Sequence, residues 1–349
     1  MRSLDILLTP FWEGNVAYDE SVLFLSENGQ TPNANLLYPP IEILGVCSSD
    51  FEIQYQEGID WVLRDGKLYL PAGSAIASMD AGALHFYSDE TQDCFDAKDG
   101  GKILYKTKGF FHKQQVLVTY RHEAGWVPAQ SMPGSHALEN VKNKIAETKH
   151  INLCFYGDSI TAGCDGSKPL GFAPFQDSWP RLVTDRFEKT YGCEVAYVNT
   201  AVGGKQSDWG LENVEERLTA YDPDLVVLAF GMNDGTEKVE PEAFRKNIMG
   251  IKRSVLARNP KAEFILISTT VANPESVFDG RQREYLPMLT ECMGQGDILV
   301  NMTEVHDRLL TRKRFVDMTG NNINHPNDYL IRVYAQMILQ GIKKAMQGG

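Results

Sequence analysis

The stretch Ile151-Asn152-Leu153-Cys154-Phe155-Tyr156-Gly157-Asp158-Ser159-Ile160-Thr161 sets a near-continuous apolar run of strand length directly against a sharp polar turn. A run without polar alternation marks a strand covered on both faces, the habit of parallel sheets. Four more such runs follow, at 195–199, 225–230, 264–268 and 298–301. Helical patterns lie between and after them at 179–191, 209–220, 241–257 (with a proline at its start), 282–292 and 328–346. Strands alternating with helices predict an α/β fold, a right-handed doubly wound sheet of five parallel strands.

Moving toward the N-terminus, residues 136–149 are polar with Leu138, Val141 and Ile145 at helical spacing, which predicts a linking helix. Before it the chain changes character. Up to about Trp126 it consists of short β-branched and aromatic segments such as Gln115-Val116-Leu117-Val118-Thr119-Tyr120, with Arg64-Asp65-Gly66-Lys67 as a hairpin signal. This half predicts an antiparallel β-sandwich of jelly-roll type. The expected division is an accessory β-unit over 1–134, a linking helix over 135–149 and an α/β unit over 150–349.

Composition narrows the function classes. The chain has 349 residues, 43% apolar, with 34 Lys+Arg against 46 Asp+Glu, a formal charge of −12. Two domains of this size bury cores without disulfides or metals. An acidic surface argues against nucleic acid, whose phosphates need a basic face. No apolar run is long enough to span a membrane, and Asp5 and Pro10 interrupt any leader-like stretch, so a cytoplasmic location without membrane partners is expected. The 6 cysteines show no CxxC pairing, and the histidines other than His325 have no metal-ligand spacing, so no metal site is expected. Asn301-Met302-Thr303 fits a glycosylation sequon and reads as an accidental match.

In doubly wound sheets ligands bind beyond the carboxyl ends of the strands. After the first strand stands Gly157-Asp158-Ser159; after the second, Asn199-Thr200-Ala201-Val202-Gly203-Gly204; after the third, Gly231-Met232-Asn233-Asp234. Before the last helix stands Asn322-Ile323-Asn324-His325-Pro326-Asn327-Asp328. A hydroxyl, a backbone donor, a side-chain amide and an imidazole form the inventory of acyl transfer. Taken singly, each has a plainer reading: Ser159 as a helix cap, Gly204 and Asn233 as turn residues, His325 as the end of a loop.

The four blocks in this order resemble those of the SGNH, or GDSL-type, esterase superfamily, over about residues 150 to 349. The resemblance implies a flavodoxin-like sheet, Ser159 as nucleophile and His325 as general base. It further implies an oxyanion hole of Ser159 N–H, Gly204 N–H and the Asn233 side chain, with no cofactor. Gly204 rather than Gly203 stands five residues after Asn199, the spacing of the second block. The superfamily usually has an aspartate three residues before the histidine, where this chain has Asn322. Asn322 is therefore one candidate to orient His325, while Asp158, beside the nucleophile, is expected to orient the loop after the first strand and to take no part in the chemistry. A backbone carbonyl, or a carboxylate such as Asp317 or Asp328, is a further alternative, and a slow enzyme is the last.

The two-part layout is similar to carbohydrate esterases of family 2, some of which place a backbone carbonyl behind the histidine. The polar segment Cys164-Asp165-Gly166-Ser167-Lys168-Pro169 suits a small acyl group with a hydrophilic alcohol. The expected partner is an acylated small molecule or oligosaccharide, most plausibly O-acetylated, and homo-oligomerisation is left open. A short-chain lipase or thioesterase-like enzyme is the alternative of the same class, and a silent carbohydrate-binding protein the alternative of a different one.

Overall fold

The computed structural model describes residues 2–89, 91–123, 125–126 and 131–347. Five parallel strands, His150–Gly157, Glu194–Asn199, Leu225–Ala229, Glu263–Ser268 and Ile298–Asn301, lie in the spatial order 2-1-3-4-5, the flavodoxin-like order. Leu153, Val227, Ile265 and Val300 are among the residues that make these strands apolar throughout, and all four are buried. A sixth, two-residue strand, Met132–Pro133, pairs antiparallel with the edge strand Ile298–Asn301. It comes from the segment expected to close the N-terminal unit.

The helices follow the apolar periodicity, with two instructive departures. Trp179–Tyr191, Pro241–Arg258 and Asp328–Gln347 run close to their expected lengths. The helix expected over 209–220 starts earlier and breaks into Ser207–Glu212 and Val214–Arg217. The break falls at Asn213, whose side-chain amide donates to Trp209 O at 2.8 Å beside its own backbone N–H at 3.1 Å, so that two donors of one residue share that carbonyl. Met302–Leu310 is a helix that the periodicity reading passed over. Asn301 begins it, accepting from Glu304 N at 3.0 Å while its own amide donates to the Glu304 carboxylate at 2.9 Å. The asparagine of the sequon is thus a buried helix cap.

The N-terminal region is β-rich, as expected. Its main sheet has eight strands and is built around Val16–Ser26 and Gln115–His122, paired antiparallel, with Pro40–Ser48 on the far side of the latter. One pairing departs from the antiparallel pattern: Ser78–Asp80 runs parallel to the end of Val16–Ser26. A separate three-stranded antiparallel sheet comprises His85–Phe86, Cys94–Asp96 and Lys102–Leu104.

The two regions share one apolar cluster, in which Val22, Phe24 and Val118 of the large sheet join Trp179 and, from the last helix, Leu330 and Ile338. A buried ion pair crosses the same boundary. Lys313 Nζ donates to Glu20 Oε1 at 2.5 Å and to Ser21 O at 2.9 Å, with side-chain exposures of 0% and 2% for the charged pair. Glu20 is further satisfied by Tyr120 Oη–H at 2.6 Å and Leu37 N–H at 2.8 Å, the condition under which a buried charge is tolerated.

Candidate active site

Ser159 opens a one-turn helix, Ser159–Ala162, at the carboxyl end of the first parallel strand, between strands that diverge in connection, the switch point of such sheets. Its geometry is set locally. The Asp158 carboxylate caps the turn by accepting from Ile160 N at 3.0 Å, and Ser159 O receives Gly163 N and Cys164 N at 3.1 and 3.0 Å. Gly157 is required by close approach, because a Cβ there would lie 2.4 Å from Ala229 O of the neighbouring strand.

His325 belongs to a loop that folds upon two polar side chains. Asn321 Oδ1 accepts from the N–H groups of Ile323, Asn324 and His325 at 2.9, 3.0 and 3.2 Å. Thr319 Oγ1 donates to His325 O and accepts from Asn321 N and Asn322 N. The loop delivers the imidazole to the nucleophile: His325 Nε2 and Ser159 Oγ are 2.9 Å apart.

On the other side of the ring, His325 Nδ1 lies 2.6 Å from Asp165 Oδ2. A carboxylate can only accept, so Nδ1 carries the proton and the lone pair of Nε2 faces the Ser159 hydroxyl. The residue behind the histidine is therefore Asp165, which corrects the expectation that named Asn322 as a candidate for that place. Asn322 has φ +65° and turns its amide away, donating to Leu104 O at 3.1 Å and accepting from Asn273. Asp158 is committed to its cap. Asp317 and Asp328 are engaged elsewhere: Asp317 Oδ1 accepts from Leu23 N, and Asp328 Oδ1 from Ser167 N. Asp165 itself has φ +61°, a conformation aspartate tolerates, and Gly320 lets the histidine loop close on it, since a Cβ there would sit 2.7 Å from Asp165 Cβ.

The expected oxyanion donors converge less completely. Among the described residues neither Ser159 N–H nor Gly204 N–H donates a hydrogen bond, so both are free for a ligand. Gly203 is the glycine that packs on the nucleophile, a Cβ there falling 3.5 Å from Ser159 Cβ, while Gly204 follows it with φ +76° and open space around it. Asn233, in the turn Met232–Thr236 after the third strand, spends one N–H of its amide on Lys205 O at 2.9 Å, leaving the second.

Two buried carboxyls stand beneath this surface. Burial pushes Asp158 up to about 7, against the opposing bond from Ile160 N–H, with the nearby Asp234 adding to the rise. Burial also raises Asp234, whose carboxylate accepts from Ser207 N at 3.0 Å and Ser207 Oγ at 2.5 Å and so ties the Asn233 turn to the helix Ser207–Glu212. Cys164 is pushed up by burial, which argues against a reactive thiol beside the serine. None of the six cysteines is in a disulfide.

The only sequence signal for Asp165 was its place in the polar segment six residues after Ser159. Its pairing with a histidine 160 positions away is a property of the closed fold.

Residues 155–329 match the GDSL-like Lipase/Acylhydrolase family. An arylesterase of Vibrio mimicus is 30% identical over 96 residues, 28% of this chain and 44% of the relative. Thioesterase 1/protease 1/lysophospholipase L1 of Escherichia coli (strain K12) is 27% identical over 107 residues, 31% of this chain and 46% of the relative. The chain thus spans a little under half the length of these curated relatives. Among solved structures, a two-domain esterase active on acetylated mannans, co-crystallised with mannopentaose, has a TM-score of 0.51 at 23% identity, covering 61% of this chain and 55% of its own; the likeness is one of fold. No described helix is long and apolar enough to cross a membrane. With the family match extending over half of its residues and including Ser159 and His325, the chain belongs to the GDSL-like lipase/acylhydrolase family.

Proposed function

We propose that this protein is a serine ester hydrolase acting on short-chain O-acyl esters of carbohydrates, above all O-acetyl esters. The observation that carries the reading is the series Ser159 Oγ, His325 Nε2, His325 Nδ1 and Asp165 Oδ2, joined at 2.9 and 2.6 Å. His325 takes the Ser159 proton as the hydroxyl oxygen attacks the ester carbonyl, and Asp165 holds the imidazole in the required tautomer and stabilises the imidazolium. The tetrahedral oxyanion is received by Ser159 N–H, Gly204 N–H and the second N–H of Asn233. Collapse expels the alcohol with the proton from His325. Water, deprotonated by the same histidine, then releases the acid and restores Ser159.

Three features support a small acyl group on a neutral, hydrophilic alcohol. Gly203 stands beside Ser159, where a side chain on it would be in van der Waals contact with Ser159 Cβ, so a glycine there keeps room at the hydroxyl for a small acyl group. The loop bearing Asp165 is polar. The net charge of −12 disfavours acidic polymers. The likeness in fold to an esterase active on acetylated mannans points the same way.

The test is acetate release from a panel of acetylated mono- and oligosaccharides, with Ser159→Ala as control. Activity abolished in Ser159→Ala supports the mechanism, and full turnover by that variant overturns it. A steep preference for octanoyl over acetyl aryl esters would replace the carbohydrate reading with a lipid or thioester one.

A further inference from the structure

Among the groups outside the parallel-sheet region that anchor the His325 loop, one side chain grips it on both sides of the histidine. Gln115, buried at the first position of the strand Gln115–His122, donates through Nε2 to Val316 O at 2.8 Å and to Thr319 O at 3.0 Å. Its Oε1 accepts from Asn327 Nδ2 at 2.9 Å. The carboxamide therefore grips the chain on both sides of His325. Asn327 Nδ2 extends the grip to Asp317 O at 3.0 Å and to Ser21 Oγ, on the adjacent strand Val16–Ser26, at 3.1 Å.

The same short segment also touches the chain beyond the helix Ser167–Leu170 that follows Asp165: His112 Nε2 lies 3.0 Å from Ala173 O, and the Phe172 ring fills the space where a side chain on Gly109 would stand. The direct grip of residues 109–115 is on the His325 loop, through Gln115. An amide with three bonds of defined direction determines where the loop sits; apolar packing alone would let it slide.

We propose that Gln115 is a positioning residue for the reaction, setting His325 against Ser159 and Asp165, and that this is a function of the N-terminal β-region. The inference rests on the serine-hydrolase reading above. Its prediction is a loss in kcat with little change in KM, because Gln115 is buried and its carboxamide is taken up by Val316, Thr319 and Asn327. Loss of positioning corresponds to roughly a 10- to 100-fold fall in kcat.

The experiment uses the full chain with Gln115→Ala and the near-isosteric Gln115→Met, assayed on an aryl acetate and labelled with a fluorophosphonate. Val46→Ala, a buried deletion in the strand Pro40–Ser48, serves as a control for general destabilisation. The proton on His325 Nδ1 is followed by NMR as a downfield resonance that needs no substrate. The expected result is a fall in kcat and labelling rate in both Gln115 variants, an unchanged KM, and a shifted or broadened His325 resonance, while Val46→Ala retains kcat at an equal loss of Tm. Gln115 variants that fold and keep kcat within about twofold of the unsubstituted chain overturn the proposal, as does a Val46→Ala protein that loses kcat equally. If neither Gln115 variant folds, Ser21→Ala, which removes one acceptor of Asn327, carries the same expectation at smaller size, and an unaltered kcat and resonance there overturn it. If the unsubstituted chain neither turns over nor labels, it is the hydrolase reading that fails.

Discussion

Ser159 and His325 arrive at one hydrogen bond by opposite routes. The Ser159 turn, residues 157–164, is held first by groups a few positions away: the Asp158 cap and the Ser159 carbonyl that closes on Gly163 and Cys164. Neighbours within about 50 positions then hold it, Trp179 Nε1–H on Ile160 O at 3.0 Å, Asn199 Nδ2–H on Thr161 O at 2.9 Å and Val202 N–H on Gly157 O at 3.1 Å. The histidine loop, residues 317–327, takes its outer supports from far along the chain. Gln115, Leu104 and Ser21 each meet it across roughly 200 residues or more, and Asp317 is fastened by Leu23 N–H. The placement of Ser159 is set by its own part of the chain, and that of His325 is imported in part from the β-region. A site of this kind can lose activity through changes remote from the chemistry, and it should do so on the histidine side only.

The difference can be broken most sharply at Asp165. Asp165→Asn is expected to lower turnover by about 10⁴, the cost of the equivalent change in a serine protease, because an amide can hold the wrong imidazole tautomer. Asn322→Asp, which restores a carboxylate at the family's usual position, should not rescue that variant, since side chain 322 is aimed at Leu104 O. Steady-state kinetics of the single and double variants on an aryl acetate decide the matter, and rescue would move the acid back to position 322.

The dependence of one region on the other is next in size. Lys313→Met strands Glu20 as a buried charge without its partner and is expected to cost about 3–5 kcal/mol in unfolding free energy. Urea denaturation measures it; a loss below about 1 kcal/mol, the worth of an exposed pair, would make the crossing bridge energetically idle. On the nucleophile side, Asn233→Ala should cost about 10²–10³ in kcat with KM little changed, the price of one oxyanion donor. A loss confined to KM would remove Asn233 from the transition state.

The smallest expected effect concerns Asp158. Its carboxyl titrates near 7 in the folded chain against an ordinary 3.8, so the folded state holds the proton more tightly than the unfolded one. That contribution to stability is complete below 3.8 and is lost as pH rises through about 7. Between about pH 5 and about pH 8 the unsubstituted chain should therefore lose more stability than Asp158→Asn, whose amide oxygen still caps Ile160 but does not titrate. Asp234 is raised in both proteins and cancels in the comparison. Equal slopes in thermal unfolding would show that Asp158 is not the titrating group.

Much of the fold was legible because it obeys local rules. Uninterrupted apolar runs became the five parallel strands, and helical periodicity with Pro241 at a first turn became Pro241–Arg258. What escaped was decided by side chains competing with the backbone: Asn213 dividing one expected helix and Asn301 starting an unexpected one. At the site, the four motif blocks identified the strand ends that meet. Asp165 escaped because nothing within residues 164–169 marks an aspartate as the partner of a histidine 160 positions on.

The order of elements and the residues carrying hydroxyl, imidazole and amide could be read from the linear chain, since periodicity, turn chemistry and motif spacing are short-range properties. Which carboxylate faces His325, which glycine lies on Ser159 and what holds the histidine loop were decided by the tertiary structure. Each depends on loops closing across more than forty residues, and for His325 across more than a hundred, where sub-ångström backbone placement, and not residue type, determines which groups come within reach.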